Sequence, residues 1–332
     1  MWEVPLSETG WYMKRRQRMI NVDRVKRVLV VGSGVMGSSI AQVFAMGDVD
    51  VTLMDVDGKA LTRAMGVIES GLKTLADFGK ISGAKIPSIL SRINRVTDLT
   101  ETAGDVEFAI EVVPEVPNIK RKVLSQLGDL CAPETVIASN TSALDIFNIA
   151  EVKGPERLII SHFFSPAHII PLVEIVPGAR TSPETVSFTA ALMEKLGKSP
   201  VVMKKYWPGF IGNRIQKAIG ETVLQMIQEG VATPDEIDRA MKLTLGIRLP
   251  IVGVVQTFDF QGLDMLLDTM RNYGKVFGFI EEKVKKGHLG VKTSKGIYDY
   301  QGRKEVEILR KRDELYLKML KHLEEIHAFD PV

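Results

Sequence analysis

The chain has 332 residues, 45% of them hydrophobic and 25% charged, and its formal net charge is +2. That length fits about two domains, and so balanced a charge gives no reason to expect a nucleic-acid partner. No apolar run approaches the roughly 20 residues of a membrane span, no signal-peptide pattern is present, and the single cysteine, Cys131, excludes an internal disulfide and a cysteine zinc cluster, so the expectation is a cytoplasmic enzyme with no membrane partner and no metal.

The basic run Lys14-Arg15-Arg16-Gln17-Arg18 carries no hydrophobic period and reads as part of an N-terminal extension over residues 1–26. Residues 27–34, a short β-branched run breaking into glycines, predict a buried parallel strand and a tight turn. A helix follows from Met36 to Met46, then a strand over 49–54 ending at Asp55, then a long helix over 58–76. Further strands are expected at 106–111, 135–138, 158–163, 172–176 and 200–203, with helices at 117–130 and 183–196 between some of them. Strands alternating with helices predict an α/β doubly wound sheet over 27–205. Cys131 follows an apolar helical stretch (Val123, Leu124, Leu127, Leu130) and reads as a buried thiol.

The pattern changes near residue 205. Ile211, Ile215, Ile219, Val223 and Ile227 recur every four residues, predicting a helix over 208–229. Thr233, Pro234 and Glu236 have the spacing of a capping box, so a second helix begins there. Helical patterns resume at about 260–286 and 303–327, so residues 206–332 are expected to form an all-α second domain.

Gly32-Ser33-Gly34-Val35-Met36-Gly37 is a G-x-G-x-x-G between a strand and a helix. Gly32 permits the turn, Gly34 lets a pyrophosphate approach the backbone, and Gly37 lets the helix pack on the strand. Asp55, at the end of the next strand, would accept from ribose hydroxyls and repel a 2′-phosphate, which favours NAD over NADP. Ligands of parallel sheets collect beyond the carboxyl ends of strands. Ser142, just past one strand, and His162, at the end of another, are placed there. Oxidising an alcohol by hydride loss also requires removal of the hydroxyl proton, which a neutral histidine does near pH 7 while a buried carboxylate fixes its tautomer. Glu174 sits in the apolar run 171–176 and needs a partner to be buried. Asn213 opens the helical half within Pro208-Gly209-Phe210-Ile211-Gly212-Asn213-Arg214.

Together these segments resemble the L-3-hydroxyacyl-CoA dehydrogenase family over about residues 27–300: GSGVMGSSIAQVFA, the stretch from Glu111 through Glu115 to Lys120, ASNTSAL, HFFSPAHIIPLVEIV, PGFIGNR and KTSKGIYDY. The resemblance implies a Rossmann-like N-terminal domain and a helical C-terminal domain that forms a homodimer. It also implies an NAD-dependent oxidation of L-3-hydroxyacyl-CoA in fatty-acid metabolism, with a small-molecule acyl-CoA as partner. By position it puts the catalytic roles on His162, Glu174, Ser142 and Asn213. It puts the cofactor contacts on the glycine loop, Asp55, Glu115, Lys120, Ser142, Ser165 and Lys292. Two departures stand out. Ser165 replaces the asparagine usual in HFFNP, and the helix positions that contact CoA in the family fall near Gly71 and Phe78, leaving Lys73 and Lys80 as substitutes. The segments 167–171, NRIQKAI and GIRLP are similar to a sister branch of lambda-crystallin-like L-gulonate 3-dehydrogenases and carnitine dehydrogenases. The alternatives are thus the same chemistry on a free hydroxy acid, or a non-catalytic NAD-binding crystallin-like protein.

Overall fold

A computed structural model describes residues 22–330; the basic run 14–18 lies outside them. In chain order the first unit contains β1 (Arg27–Val31), α1 (Val35–Met46), β2 (Asp50–Met54), α2 (Gly58–Asp77), α3 (Ile86–Ser91), β3 (Ile93–Val96), β4 (Phe108–Glu111) and α4 (Pro117–Leu130). It continues with β5 (Val136–Ser139), α5 (Ile146–Ile149), β6 (Leu158–Phe163), β7 (Leu172–Pro177), α6 (Pro183–Lys195) and β8 (Ser199–Val202). The strands form one eight-stranded sheet in the order β3-β2-β1-β4-β5-β6-β7-β8. Neighbours from β3 to β6 pair in parallel; β7 runs antiparallel to β6, and β8 runs parallel to β7. This is a doubly wound, mostly parallel Rossmann sheet.

Alternation along the strands supplies two cores. In β1, Val28 and Val30 face a cluster with Ile40 and Phe44 of α1 and Ile68 and Leu72 of α2. Leu29 and Val31 face the opposite cluster, with Leu124 and Leu127 of α4. Each fully buried aliphatic chain contributes about 1.5–3 kcal/mol, so a sheet covered on both sides explains why its central strands read as unbroken apolar runs. Helix α2 keeps Leu61, Ala64, Ile68, Leu72 and Leu75 inward and is capped by Asp57, whose side chain accepts from Lys59 N. Cys131 is buried and free, and burial pushes its thiol up to about 11.

The second unit is helical. The division falls between Ala218 and Ile219, inside α7 (Gly212–Gln228). After it come α8 (Pro234–Leu243), α9 (Leu245–Gln261), α10 (Leu263–Asn272), α11 (Gly278–Lys285) and α12 (Glu305–Glu325). The capping box of α8 is formed: Thr233 Oγ1 accepts from Glu236 N, and the Glu236 carboxylate accepts from Thr233 N at 2.8 Å. Leu263, Leu266, Leu267 and Ile280 make one small core, and Val291, Tyr300 and Ile308 another. Buried Asp259 of α9 accepts from Ile297 N (2.7 Å), Tyr298 N (2.8 Å) and Tyr300 Oη (3.1 Å), and so fastens the 297–300 segment.

Three features depart from the sequence reading. Val25, assigned to the extension, is 1% exposed and belongs to the sheet core. Strand β3 with its preceding helix α3 was not expected, because an edge strand of four residues, Ile-Asn-Arg-Val, buries only its first side chain well. Helix α9 was also not expected, because Pro250 and a kink at Gly253 (φ 65°) interrupt its pattern. Among the described residues, no single helix is long and apolar enough to cross a membrane, and no group of three or more His, Cys, Asp or Glu is arranged to hold a metal.

Candidate active site

The loop after β1 has the form a dinucleotide requires. Gly32 has φ 109°, and a Cβ there would lie 2.7 Å from Val112 O. A Cβ on Gly37 would collide with Gly32 O, so helix α1 can rest on the turn only with glycine at that position. A Cβ on Gly34 would meet nothing within 4 Å, which leaves open space in front of the backbone. No side chain caps α1 and no acid stands in its first turn, so its amide dipoles are available to an anion. Val35 is 75% exposed, whereas Met36 packs partly against the core.

Asp55, at the end of β2, is held in place by the same loop. Its Oδ2 accepts from Ser33 N (2.8 Å) and Ser33 Oγ (2.7 Å), and its Oδ1 from Asp57 N (3.0 Å). Burial pushes its carboxyl up, but the hydrogen bonds from Asp57 N, Ser33 N and the Ser33 hydroxyl more than offset this, and the net shift is downward. A carboxylate has about four acceptor positions. Three are occupied here, so one directed position remains for a ribose hydroxyl. The residues present fit a bound NAD.

Beyond the carboxyl ends of β4, β5 and β6 lies the second cluster. His162 and Glu174 are direct cross-strand partners in the antiparallel β6–β7 pair, so their side chains emerge on one face. His162 Nδ1 is 2.8 Å from Glu174 Oε2, and both residues are buried. The other oxygen, Glu174 Oε1, accepts from Ile211 N (2.9 Å) and Gly212 N (2.8 Å) at the start of α7. Burial raises the Glu174 carboxyl, but the His162 hydrogen bond and the Gly212 and Ile211 amides outweigh it, so the net shift is downward. An ionised Glu174 only accepts. His162 Nδ1 therefore carries the hydrogen of the neutral imidazole, and Nε2 bears the lone pair. Phe164 and Phe210 flank the imidazole, with ring centroids 4.6 and 5.4 Å away.

Ser142 is held from two sides. Glu115 Oε1 accepts from Ser142 N (2.9 Å), Ser142 Oγ (3.2 Å), Thr141 Oγ1 (2.6 Å) and Ala143 N (3.1 Å). Asn213, in the first turn of α7, donates from Nδ2 to Ser142 O at 3.2 Å. Lys120 is 1% exposed, and its Nζ sits 2.8 Å from Glu111 Oε1, 3.2 Å from Glu115 Oε2 and 3.2 Å from Val113 O. Both residues were read as cofactor contacts. Here the ammonium is committed to two carboxylates, and Glu115 to the loop that carries Ser142. Burial pushes the Glu115 carboxyl up, while the Thr141 hydroxyl, Lys120 and Ser142 N bring it below its ordinary value.

Ser165 is exposed and joined to Pro166 by a cis peptide. Lys292 belongs to the helical unit, where its Nζ pairs with Asp264 at 2.7 Å. The structure thus brings Ser142, His162, Glu174 and Asn213 together in the first unit, close to the ends of its central strands.

Two participants were not singled out from sequence. Asn140 Oδ1 accepts from Phe163 N at 2.8 Å, and Asn140 N donates to Glu111 O at 2.9 Å, so this residue joins the ends of β4, β5 and β6. Buried Glu111 accepts from Lys120, from Ser139 Oγ (2.6 Å) and from Val113 N (2.7 Å). An acid closing the apolar run Phe-Ala-Ile-Glu was the available signal for Glu111; nothing local marked Asn140.

Comparison with known proteins agrees with this arrangement. Residues 27–206 match the family described as 3-hydroxyacyl-CoA dehydrogenase, NAD binding domain, and residues 209–300 match the C-terminal domain of 3-hydroxyacyl-CoA dehydrogenase. A probable 3-hydroxybutyryl-CoA dehydrogenase of Deinococcus radiodurans is 37% identical over 280 residues, covering 82% of this chain and 99% of its own. An L-carnitine dehydrogenase of Streptomyces griseus is 36% identical over 72% of this chain and 70% of its own. The solved structure of the 3-hydroxyacyl-CoA dehydrogenase of Archaeoglobus fulgidus is similar with a TM-score of 0.75 at 32% identity, covering 90% of this chain and 99% of that one. The chain belongs to the 3-hydroxyacyl-CoA dehydrogenase family and is an NAD-dependent oxidoreductase.

Proposed function

We propose that this enzyme interconverts an L-3-hydroxyacyl-CoA and its 3-oxoacyl-CoA, with His162 as the general base and acid. The observation that carries this reading is the His162–Glu174 contact, 2.8 Å between buried groups at the end of β6. Glu174 holds the Nδ1–H tautomer, so Nε2 is free to take the proton of the 3-hydroxyl, and the carboxylate stabilises the imidazolium that results. The glycine loop and Asp55 would hold NAD, which would supply the acceptor for the hydride of the hydroxyl-bearing carbon. Asn213 Nδ2 has two hydrogens, and Ser142 O engages one. The second would donate to the oxygen as charge develops on it, and the Ser142 hydroxyl would join it by turning its single hydrogen away from Glu115 Oε1. Glu115 and Lys120 act by fixing the Ser142 loop.

A free hydroxy acid is the second reading, and one observation favours it. A Cβ on Gly71 would lie 2.8 Å from Gln42 Oε1 and 3.4 Å from His168 Nε2, so a side chain reaching toward CoA from that position would have to displace the buried Gln42 amide. Lys73, its proposed substitute, pairs with Glu69 at 2.7 Å. The L-carnitine dehydrogenase relative points the same way. The two readings separate on kcat/KM with NADH. Acetoacetyl-CoA should exceed acetoacetate by about 100-fold or more, because remote binding energy orients the reacting carbon. A parent enzyme that ignores acetoacetyl-CoA and oxidises L-gulonate or carnitine replaces the first reading with the second.

A homodimer is also proposed. On α7, Ile215, Ile219 and Ile227 are 44%, 36% and 38% exposed, so the stripe at four-residue spacing is left only partly buried within one chain. Sedimentation should give twice the chain mass; a monomer at micromolar concentration would refute it.

A further inference from the structure

Next to Asn213 stands a group of residues that the hydride-transfer chemistry does not use. Trp207 is 46% exposed, the Arg214 guanidinium lies 5.2 Å from its ring centroid, and Lys205 Nζ lies 5.9 Å from it. One Arg214 donor reaches Pro208 O at 3.3 Å. Among the described residues of this unit, neither cation has a carboxylate partner.

The location of Arg214 works against helix stability. It sits in the first turn of α7, where amide dipoles favour acids and disfavour a cation, and that turn contains no acid. The carboxylate at this helix end, Glu174, is already occupied by His162 and by two α7 amides. A cation placed against the helix dipole, with an exposed indole and one carbonyl as its contacts and no carboxylate among them, points to a site. The cation–π contact with the indole restrains the guanidinium, and Pro208 O engages one of its five donors, which leaves donors to receive an oxyanion through two parallel hydrogen bonds.

We infer that Arg214, held by Trp207 and assisted by Lys205, binds the oxyanion that the substrate carries away from its reacting carbon. That group is a CoA phosphate if the thioester is the substrate and a carboxylate if the free acid is. This deepens the proposed function and rests on it, since Asn213, one residue away, is the group placed against the reacting oxygen.

The test uses full-length Arg214→Gln and Trp207→Leu, with NADH affinity as the check on folding. With acetoacetyl-CoA, KM should rise about 10-fold in Arg214→Gln, the effect of losing a charge-assisted hydrogen bond, and its salt dependence should flatten. Trp207→Leu should move KM the same way by a smaller factor. The neutral thioester acetoacetyl-N-acetylcysteamine has no distal anion, so its KM should not follow. A rise for a free hydroxy acid with none for the CoA ester would support the site and assign the anion to a carboxylate. Calorimetric titration with CoA itself reads the site without turnover, so it stays informative if the parent proves inactive on every 3-oxo substrate. The inference is overturned if Arg214→Gln leaves both CoA affinity and every anionic KM within about two-fold of the parent, or raises the neutral thioester KM equally.

Discussion

Glu174 joins the base and the second half of the site in one carboxylate: Oε2 meets His162 Nδ1 at 2.8 Å, and Oε1 accepts the Ile211 and Gly212 amides at 2.9 and 2.8 Å. One side chain thereby fixes an imidazole on β6 and the amino end of α7, where Asn213 follows directly. The position of the helix and the tautomer of the base are set together.

Replacing that residue should therefore affect both stability and turnover. In Glu174→Gln a single amide cannot accept from both His162 and the two α7 N–H groups, and breaking a buried pair costs about 3–5 kcal/mol. The folded carboxyl lies below its ordinary value, so its stabilisation is present above the unfolded pKa of about 4.3 and is lost as pH falls through the folded value. Thermal unfolding should show a large Tm gap between parent and variant at pH 7 that shrinks below about pH 4. A gap that is constant with pH would mean that Glu174 is not ionised in the folded enzyme.

The glycine loop can be separated into a packing position and a cofactor position. Gly37→Ala brings a Cβ against Gly32 O and should lower stability by about 2 kcal/mol or more. Gly34 has φ −64° with open space around its missing Cβ, so Gly34→Ala should leave Tm within about 1 °C while raising the NADH Kd about 10-fold, by filling the space of the pyrophosphate. Fluorescence titration with NADH, paired with melting curves, checks both. Unchanged NADH binding in Gly34→Ala would remove this loop from the cofactor site.

Asn140 is expected to position the base without touching substrate. Its Oδ1 takes Phe163 N, one residue past His162. Asn140→Leu removes the acceptor and should lower kcat about 10-fold with the NADH Kd unchanged, whereas Asn140→Asp keeps an acceptor and should recover most of the loss. Equal damage from both variants would reduce Asn140 to a packing role.

The parts that could be read from sequence were those with a local cause. The β1–α1 turn, Asp55, the buried Glu174 and the Thr233–Glu236 cap each follow from a few adjacent residues. What could not be read depended on other elements. β3 is a strand because β2 offers it an edge, and α9 is a helix despite Pro250 and Gly253. Lys120 and Glu115 were expected as cofactor contacts, and their partners within the protein, Glu111 and the Ser142 loop, could be seen only in the fold. Contacts with other segments, rather than residue type, decided β3 and the partners of Lys120 and Glu115.

The most direct test of the central claim is His162→Gln, assayed for acetoacetyl-CoA reduction by NADH with the NADH Kd measured alongside. Loss of the acid–base group should lower kcat by about 10²–10⁴-fold, with the NADH Kd unchanged because His162 lies on β6, apart from the glycine loop and Asp55. A variant whose kcat stays within about three-fold of the parent would contradict the account and remove His162 from the chemistry.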